Sequence, residues 1–147
     1  MKVAFDEHIP PALARALQAL ADAGDLEDVQ FCSARDYAPK SKPDTDVPWI
    51  QAFAADGGNV LISGERQMRA IPEVQAGIRE TGVVSFYVPP SWNHFDMARR
   101  VAFILAWWGR IVAKAKDSQP GDAWIIPLAW GASAFRRVKV ETKDPNV

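Results

Sequence analysis

Hydrophobic residues in the first 90 positions alternate between short apolar runs and stripes at helical spacing. The runs lie in the segments KVAF, VQFCSA, NVLIS and VVSFYV, and each is short enough and apolar enough to be a buried strand. The first helical stripe is Leu13, Leu17 and Leu20, which follows a double proline and ends near Gly24. The pattern therefore predicts strands that alternate with helices.

Three further helices are predicted. WIQAFAAD forms one of them, with Asp44 or Asp46 as its N-cap and Pro48 in its first turn. Another covers residues 72–80 and ends at Gly82, after the polar segment GERQMR, which is predicted to be a turn. The longest covers residues 94–116, where apolar positions keep a period near 3.6.

The predicted order is β-α-β-loop-α-β-α-β-α, followed by a hairpin in AWIIPLAWGASAFRRVKVE that turns at Gly131. Strands that alternate with helices are typical of an α/β fold with a mainly parallel sheet covered on both faces. The length of 147 residues fits a single domain over residues 1–147. Functional groups in such sheets collect beyond the carboxyl ends of the strands.

Composition excludes several classes of protein. Apolar residues make up 48% of the chain and charged residues 24%, which is typical of a folded protein, and the net charge of −1 gives no global attraction for nucleic acid. The single cysteine, Cys32, excludes a disulfide framework and is interpreted as a buried thiol. We expect no signal peptide, since the N-terminal MKVAFDE has no long apolar core before its acidic pair. We expect no membrane association, since the apolar segment at residues 101–112 is too short to span a bilayer. We therefore expect a cytoplasmic location.

Three carboxylates are predicted near one edge of the sheet. Asp6 ends the first strand, Asp46 begins a helix after a long loop, and Glu65 follows the third strand. Clustered carboxylates favour Mg²⁺ or Mn²⁺, which activate water and stabilise charge on a phosphate during phosphodiester hydrolysis. Taken singly, each has an ordinary interpretation: a turn former for Asp6, a helix cap for Asp46 and a surface charge for Glu65.

Other candidate residues have simpler interpretations. His8 and His94 lie near predicted helix starts without partners at zinc-site spacing, which favours capping or surface roles. Trp107 and Trp108 lie in the longest helix, where packing is favoured over base stacking. Glu7 is interpreted as exposed or paired locally.

The segments FDEHIPPALARAL, DTDVPW and NVLISGERQMR, within residues 1–90, resemble the PIN-like nucleases, in particular the compact domains grouped with VapC-type toxins. The resemblance implies an α/β/α sandwich with a central parallel sheet. It implies that Asp6, Asp46 (with Asp44 a weaker match) and Glu65 are the catalytic residues and metal ligands. The implied activity is Mg²⁺- or Mn²⁺-dependent cleavage of RNA, with a cognate antitoxin as inhibitor.

The chain departs from the family pattern after the third strand. Glu65 occupies a position where the family commonly has Asp, and Gln67 and Met68 occupy positions where a further acidic residue often follows. An acidic site weakened in this way leaves a second hypothesis open, a catalytically silent PIN-like domain that binds a protein or RNA. A phosphoacceptor receiver domain is a third, although Gly64 and Glu65 stand where that fold needs an aspartate.

Basic residues lie on both sides of the predicted carboxylate cluster. Arg35 precedes it in the chain, and the candidates for substrate binding are Lys40, Lys42, Arg66 and Arg69. The alternative is that these side chains are solvated and balance nearby acids. Three roles stay open for the C-terminal third: covering the sheet, forming a homodimer, or binding the antitoxin.

Overall fold

The computed structural model describes residues 1–24, 26, 28–37, 46–129 and 134–139, and it contains a six-stranded sheet. The strands are β1 (Lys2–Phe5), β2 (Gln30–Ser33), β3 (Val60–Ser63), β4 (Val84–Tyr87), β5 (Ala123–Ile125) and β6 (Arg136–Arg137). Their order is β2-β1-β3-β4-β5-β6; the first five are parallel and β6 is antiparallel to β5. The predicted parallel sheet and the strands of the C-terminal hairpin are confirmed.

Five α-helices are described: α1 (Pro11–Asp22), α2 (Asp46–Ala55), α3 (Arg66–Ala70), α4 (Pro72–Thr81) and α5 (Met97–Asp117). Short 3₁₀ helices cover Ala34–Asp36 and Pro90–His94. Proline begins α1 and α4, where its fixed φ suits the first turn. Gly82 ends α4 with a φ of 79°, a left-handed conformation that glycine adopts without strain.

Two sequence predictions are wrong in detail. The segment predicted as a polar turn forms α3, because Met68 is buried against the core and holds a short helix there. The longest helix begins at Met97 instead of residue 94, since the Asp96 side chain accepts a hydrogen bond from the Arg99 N–H at 2.8 Å and caps it. Residues 38–45, which include Lys40, Lys42 and Asp44, and Gly131 lie outside the described residues.

The core forms on both faces of the sheet, as the pattern predicted. One face packs against α1 and α5, with Leu13, Leu17, Ile104, Trp107 and Trp108 buried there. The other packs against α2, α3 and α4, with Trp49, Ile50, Phe53, Met68 and Ile78 buried there. The protein is therefore a three-layer α/β/α sandwich, and the helix of the C-terminal third covers the sheet.

In the ranges that the structure describes, no helix is both long and apolar enough to cross a bilayer.

The order of the strands places a topological switch point between β1 and β3. From β1 the chain first continues to one side, to β2, and then crosses to β3 and the strands on the other side. In open α/β sheets, ligands bind outside the carboxyl ends of the strands at such a switch point. Phe5 pairs with Ile62 in register, so Asp6 and Ser63 follow side by side at this edge, which we call the carboxyl edge.

Candidate functional site

Asp6 lies at the centre of the carboxyl edge and is completely buried. One carboxylate oxygen, Oδ1, accepts hydrogen bonds from the backbone N–H groups of His8 at 2.9 Å and Ile9 at 3.2 Å. The other, Oδ2, accepts one from the Gly64 N–H at 2.9 Å and one from the Ser63 hydroxyl. A carboxylate offers about four lone-pair sites, so these donors occupy all of them. Asp6 therefore ties the β1–α1 turn to the end of β3.

Burial raises the pKa of the Asp6 carboxyl, while the hydrogen bonds from Ser63 and Gly64 act in the opposite direction. The anion in this position is stabilised by oriented donors instead of water. The turn that follows Asp6 is held further by Arg35, whose Nη2 donates to the Glu7 carbonyl at 3.2 Å.

Glu65 lies beside Asp6, and its side chain is 19% exposed. Its backbone N–H donates to the Ser63 hydroxyl oxygen at 3.0 Å, which fixes the start of the segment after β3. The carboxylate oxygen Oε2 is buried and lies 3.3 Å from His8 Nε2, but no well-aligned hydrogen bond to it forms among the described residues. No pattern in the sequence predicted this contact with His8.

The pKa of Glu65 is raised, first by burial and then by the negative charge of Asp46, with a smaller contribution from Asp6. His8 acts in the opposite direction. Glu65 therefore lies within electrostatic range of both other carboxylates singled out in the sequence, Asp46 and Asp6.

Asp46 occupies the first turn of α2, and its Oδ1 accepts a hydrogen bond from the indole N–H of Trp49 at 3.3 Å. Trp49 is buried in the core under α2, so this contact fixes the side of the helix on which the carboxylate lies. Its negative charge raises the pKa of Glu65, which indicates that Asp46 lies near the carboxyl edge.

A cleft of about 40 Å³ opens at the carboxyl edge beside Glu65. Its polar lining includes Ser63, Glu65, Arg69 and Asn93. Asn93 donates from Nδ2 to the Gly64 carbonyl at 3.0 Å, and a Cβ at position 64 would lie 2.7 Å from Asn93 Oδ1, which favours glycine there. The cleft has space for about three water molecules.

Of the predicted substrate-binding residues, the structure places Arg69 at the site, where it lines the cleft with Glu65. Lys40 and Lys42 lie outside the described residues, and the side chain of Arg66 is not described.

The chemistry of these donors fits a hard divalent cation: they are carboxylates, and one oxygen of Glu65 is buried without a hydrogen bond. Their present arrangement does not complete a coordination site. Within the described part of the chain, no three His, Cys, Asp or Glu side chains converge on one position for a metal ion.

Comparison with known proteins identifies the family. A family model described as "PIN like domain" matches residues 1–89, which is more than half of the chain and includes Asp6, Asp46 and Glu65. The comparisons with curated proteins and with solved structures gave no significant match. The receiver-domain hypothesis has no support, since β3 ends at Ser63 and is followed by Gly64 and Glu65 instead of an acceptor aspartate. The six-stranded α/β/α sandwich, with its carboxylates at the switch point, belongs to the PIN-like domain family.

Proposed function

We propose that this PIN-like domain is a nuclease that hydrolyses phosphodiester bonds of RNA with Mg²⁺ or Mn²⁺. The observation that supports the proposal is the state of Glu65. One oxygen of its carboxylate is buried without a well-aligned hydrogen bond, with His8 Nε2 3.3 Å away, and burial and the charges of Asp46 and Asp6 raise its pKa against the opposing effect of His8. A divalent cation would neutralise this accumulated negative charge, using the oxygen ligands that such cations prefer.

In this proposal Asp6, Asp46 and Glu65 hold the cation. When bound, the cation lowers the pKa of a coordinated water and stabilises charge on the phosphate oxygens. Ser63 and Gly64, anchored by Asp6, fix the backbone from which Glu65 projects. Arg69, which lines the same cleft as Glu65, binds and orients a phosphate oxygen of the substrate.

Asp6 coordinates the cation directly only if it gives up one of its four hydrogen bonds. The hydroxyl of Ser63 is the donor that can turn away, since the other three donors are backbone N–H groups held by the turn and by β3. Otherwise Asp6 acts through its charge and by positioning the neighbouring backbone. Glu65 and Asp46 are then the direct ligands.

A second candidate function is a catalytically silent PIN-like domain that binds RNA or a protein. The four hydrogen bonds to Asp6 favour it, because they leave this carboxylate without a lone pair for a metal in the present arrangement. The absence of a three-ligand group in the described residues agrees with it. The two functions differ in whether the chain binds Mn²⁺ and cleaves RNA.

The test is calorimetric titration of Mn²⁺ into the full chain, combined with an RNA cleavage assay in Mn²⁺. Glu65→Gln removes the proposed ligand, and Glu80→Gln makes the same change at an exposed position of α4. We expect wild type and Glu80→Gln to bind Mn²⁺ and cleave RNA, and Glu65→Gln to lose both. Equal binding by all three proteins would reject the assigned ligand. No binding or cleavage by any of them would favour the silent domain.

We extend the proposal to a toxin of a type II toxin–antitoxin system, acting in the cytoplasm, bound by a cognate antitoxin and able to form a homodimer. Its support is the resemblance of the three motifs to compact PIN-like domains grouped with VapC-type toxins. Expression of the wild type should arrest growth, and expression of Glu65→Gln should not. Growth arrest that a protein encoded beside it fails to relieve would reject the toxin–antitoxin assignment.

A further inference from the structure

A single row of paired residues crosses the sheet at the carboxyl edge and extends into the C-terminal hairpin. Ser63 pairs with Tyr87, Tyr87 with Ile125, and Ile125 with Arg136. Strands in a sheet lie about 4.8 Å apart, so three steps place the Arg136 backbone about 14 Å from Ser63. β6 is antiparallel, and Arg136 is therefore at the same edge as the ends of the parallel strands.

Basic side chains surround an open groove of about 610 Å³ at this end of the row. We call it the basic groove, and its charged lining is Arg69, Arg136, Arg137 and Lys139. Ala70, Ile125 and Val138 complete the lining, so the described part of the groove has no acidic and no aromatic residue.

The basic residues of the hairpin differ in whether they form hydrogen bonds or ion pairs with other residues of the protein. Arg137 donates to Asp122 Oδ1 at 2.8 Å, and its guanidinium lies 4.4 Å from the Trp124 ring centre. Arg136 and Lys139 are exposed, and neither forms a hydrogen bond or ion pair within the described ranges. Two cations of the groove are therefore available to a ligand.

Arg69 connects the basic groove to the carboxylates. It lines the groove with the hairpin residues, and it also lines the small cleft with Ser63 and Glu65. Positive charge therefore continues from the cleft to the outer edge of the sheet. The hairpin lies beyond residues 1–89, so the family match includes only the Arg69 end of this surface.

We propose that the basic groove binds the sugar-phosphate backbone of a single-stranded nucleic acid and directs it toward the cleft at Glu65. This inference rests on the proposed nuclease function and names the surface that holds its substrate. Grooves lined with Lys and Arg follow a phosphate backbone, and the net charge of −1 requires such attraction to be local. An acidic protein segment would also be attracted, but continuity with the carboxylate cleft favours a polymer of phosphodiesters.

The lining also predicts the mode of binding. Sequence-tolerant binders usually add aromatic side chains on which bases stack, and the described lining of this groove contains none. Contacts would then be made mainly to phosphates, which gives binding that depends strongly on salt and weakly on sequence.

The test measures fluorescence anisotropy of a labelled single-stranded RNA of about 12 nucleotides, in EDTA so that no cleavage occurs. Arg136→Gln/Lys139→Gln removes two groove charges and leaves Arg137 with Asp122 in place. Arg79→Gln/Lys116→Gln is the matched control, since both residues are exposed and lie toward the opposite edge. We expect the groove variant to bind at least about tenfold more weakly, with a salt slope shallower by about 1.4, and the control to bind like wild type.

Equal affinities for both double variants, each checked for folding by circular dichroism, would overturn the proposal. Binding of an acidic peptide by the wild type in place of the RNA would overturn it as well. The result is independent of the nuclease proposal because the assay contains no metal. If the groove variant loses binding while the wild type fails to cleave RNA in Mn²⁺, the nuclease proposal is rejected and the proposal that the basic groove binds nucleic acid is retained. If RNA is cleaved and the groove variant binds it normally, the groove proposal fails alone.

Discussion

Replacement of Asp6 by Asn tests whether this carboxylate stabilises the fold through its four hydrogen bonds, in addition to its proposed role in holding a cation. The amide retains one oxygen, which can keep the bonds from His8 and Ile9. Its NH₂ group can donate to the Ser63 hydroxyl oxygen, but it faces the Gly64 N–H, a second donor. An unsatisfied buried donor costs about 1–3 kcal/mol, and each retained bond loses about 1 kcal/mol with the negative charge.

Loss of a buried charge offsets part of this cost, because burial disfavours the charged form of Asp6 and raises its pKa. We expect the free energy of unfolding of Asp6→Asn to be lower by about 2 kcal/mol. With an m-value of about 2 kcal/mol/M in urea, the unfolding midpoint falls by about 1 M.

Urea unfolding followed by tryptophan fluorescence measures the shift. Glu7→Gln is the matched control, because it makes the same change one residue later, where the described residues show no bond to the carboxylate. Midpoints of Asp6→Asn and Glu7→Gln within about 0.3 M of each other would refute the argument from four hydrogen bonds. The expected instability is also why Glu65→Gln is the cleaner probe of activity.

Three further predictions concern other parts of the molecule. Burial acts to raise the pKa of Asp122, but hydrogen bonds from Arg137 and the Gln119 N–H outweigh it and hold the pKa below 3.8. The Asp122–Arg137 pair therefore stabilises the fold above that pH and loses its effect as the pH falls through the lowered pKa. Arg137→Gln should cost up to about 1 kcal/mol at pH 7, with a smaller deficit in acid, measured by urea unfolding at both pH values; an unchanged deficit would contradict the linkage. Burial raises the pKa of Cys32 to about 11 from 9.0, so at pH 8 its thiolate fraction is about 90-fold lower. The higher nucleophilicity of such a thiolate offsets part of this, so iodoacetamide should react about tenfold more slowly in native than in urea-unfolded protein, and equal rates would contradict the effect of burial. A Cβ at Gly58 would lie 2.4 Å from the buried Phe53 ring, so Gly58→Ala should destabilise the fold by about 1–3 kcal/mol, and an unchanged melting temperature would show that the ring moves freely.

Sequence patterns predicted most of the framework because its elements are determined locally. The helix predicted over residues 72–80 is observed as Pro72–Thr81, since proline begins it and Gly82 ends it. The short helix Arg66–Ala70 could not be predicted in this way. Its residues are mostly polar, and burial of Met68 depends on a core that other segments build.

The candidate site shows the same division. Asp6 was expected at the carboxyl edge from the order of the elements alone. Its hydrogen bonds from Ser63 and Gly64 join residues 57 and 58 positions apart, and no local pattern contains such information. The contact of His8 with Glu65 and the basic groove of the hairpin depend on the same long-range pairing. The sequence identified which residues carry charge, and the register of the sheet determined which of them meet.

The family match ends at residue 89, but the folding unit does not. β4 pairs with β3 on one side and with β5 on the other, and β5 begins only at Ala123. Helix α5, which comes between them, covers the face of the sheet that contains Ile62 and Phe86. A ribosome that has released the matched segment has therefore made a sheet in which α1 alone covers one face and β4 lacks its partner β5. Residues 1–89 expressed alone should aggregate, and a nascent chain must keep this surface protected until α5 and β5 have emerged.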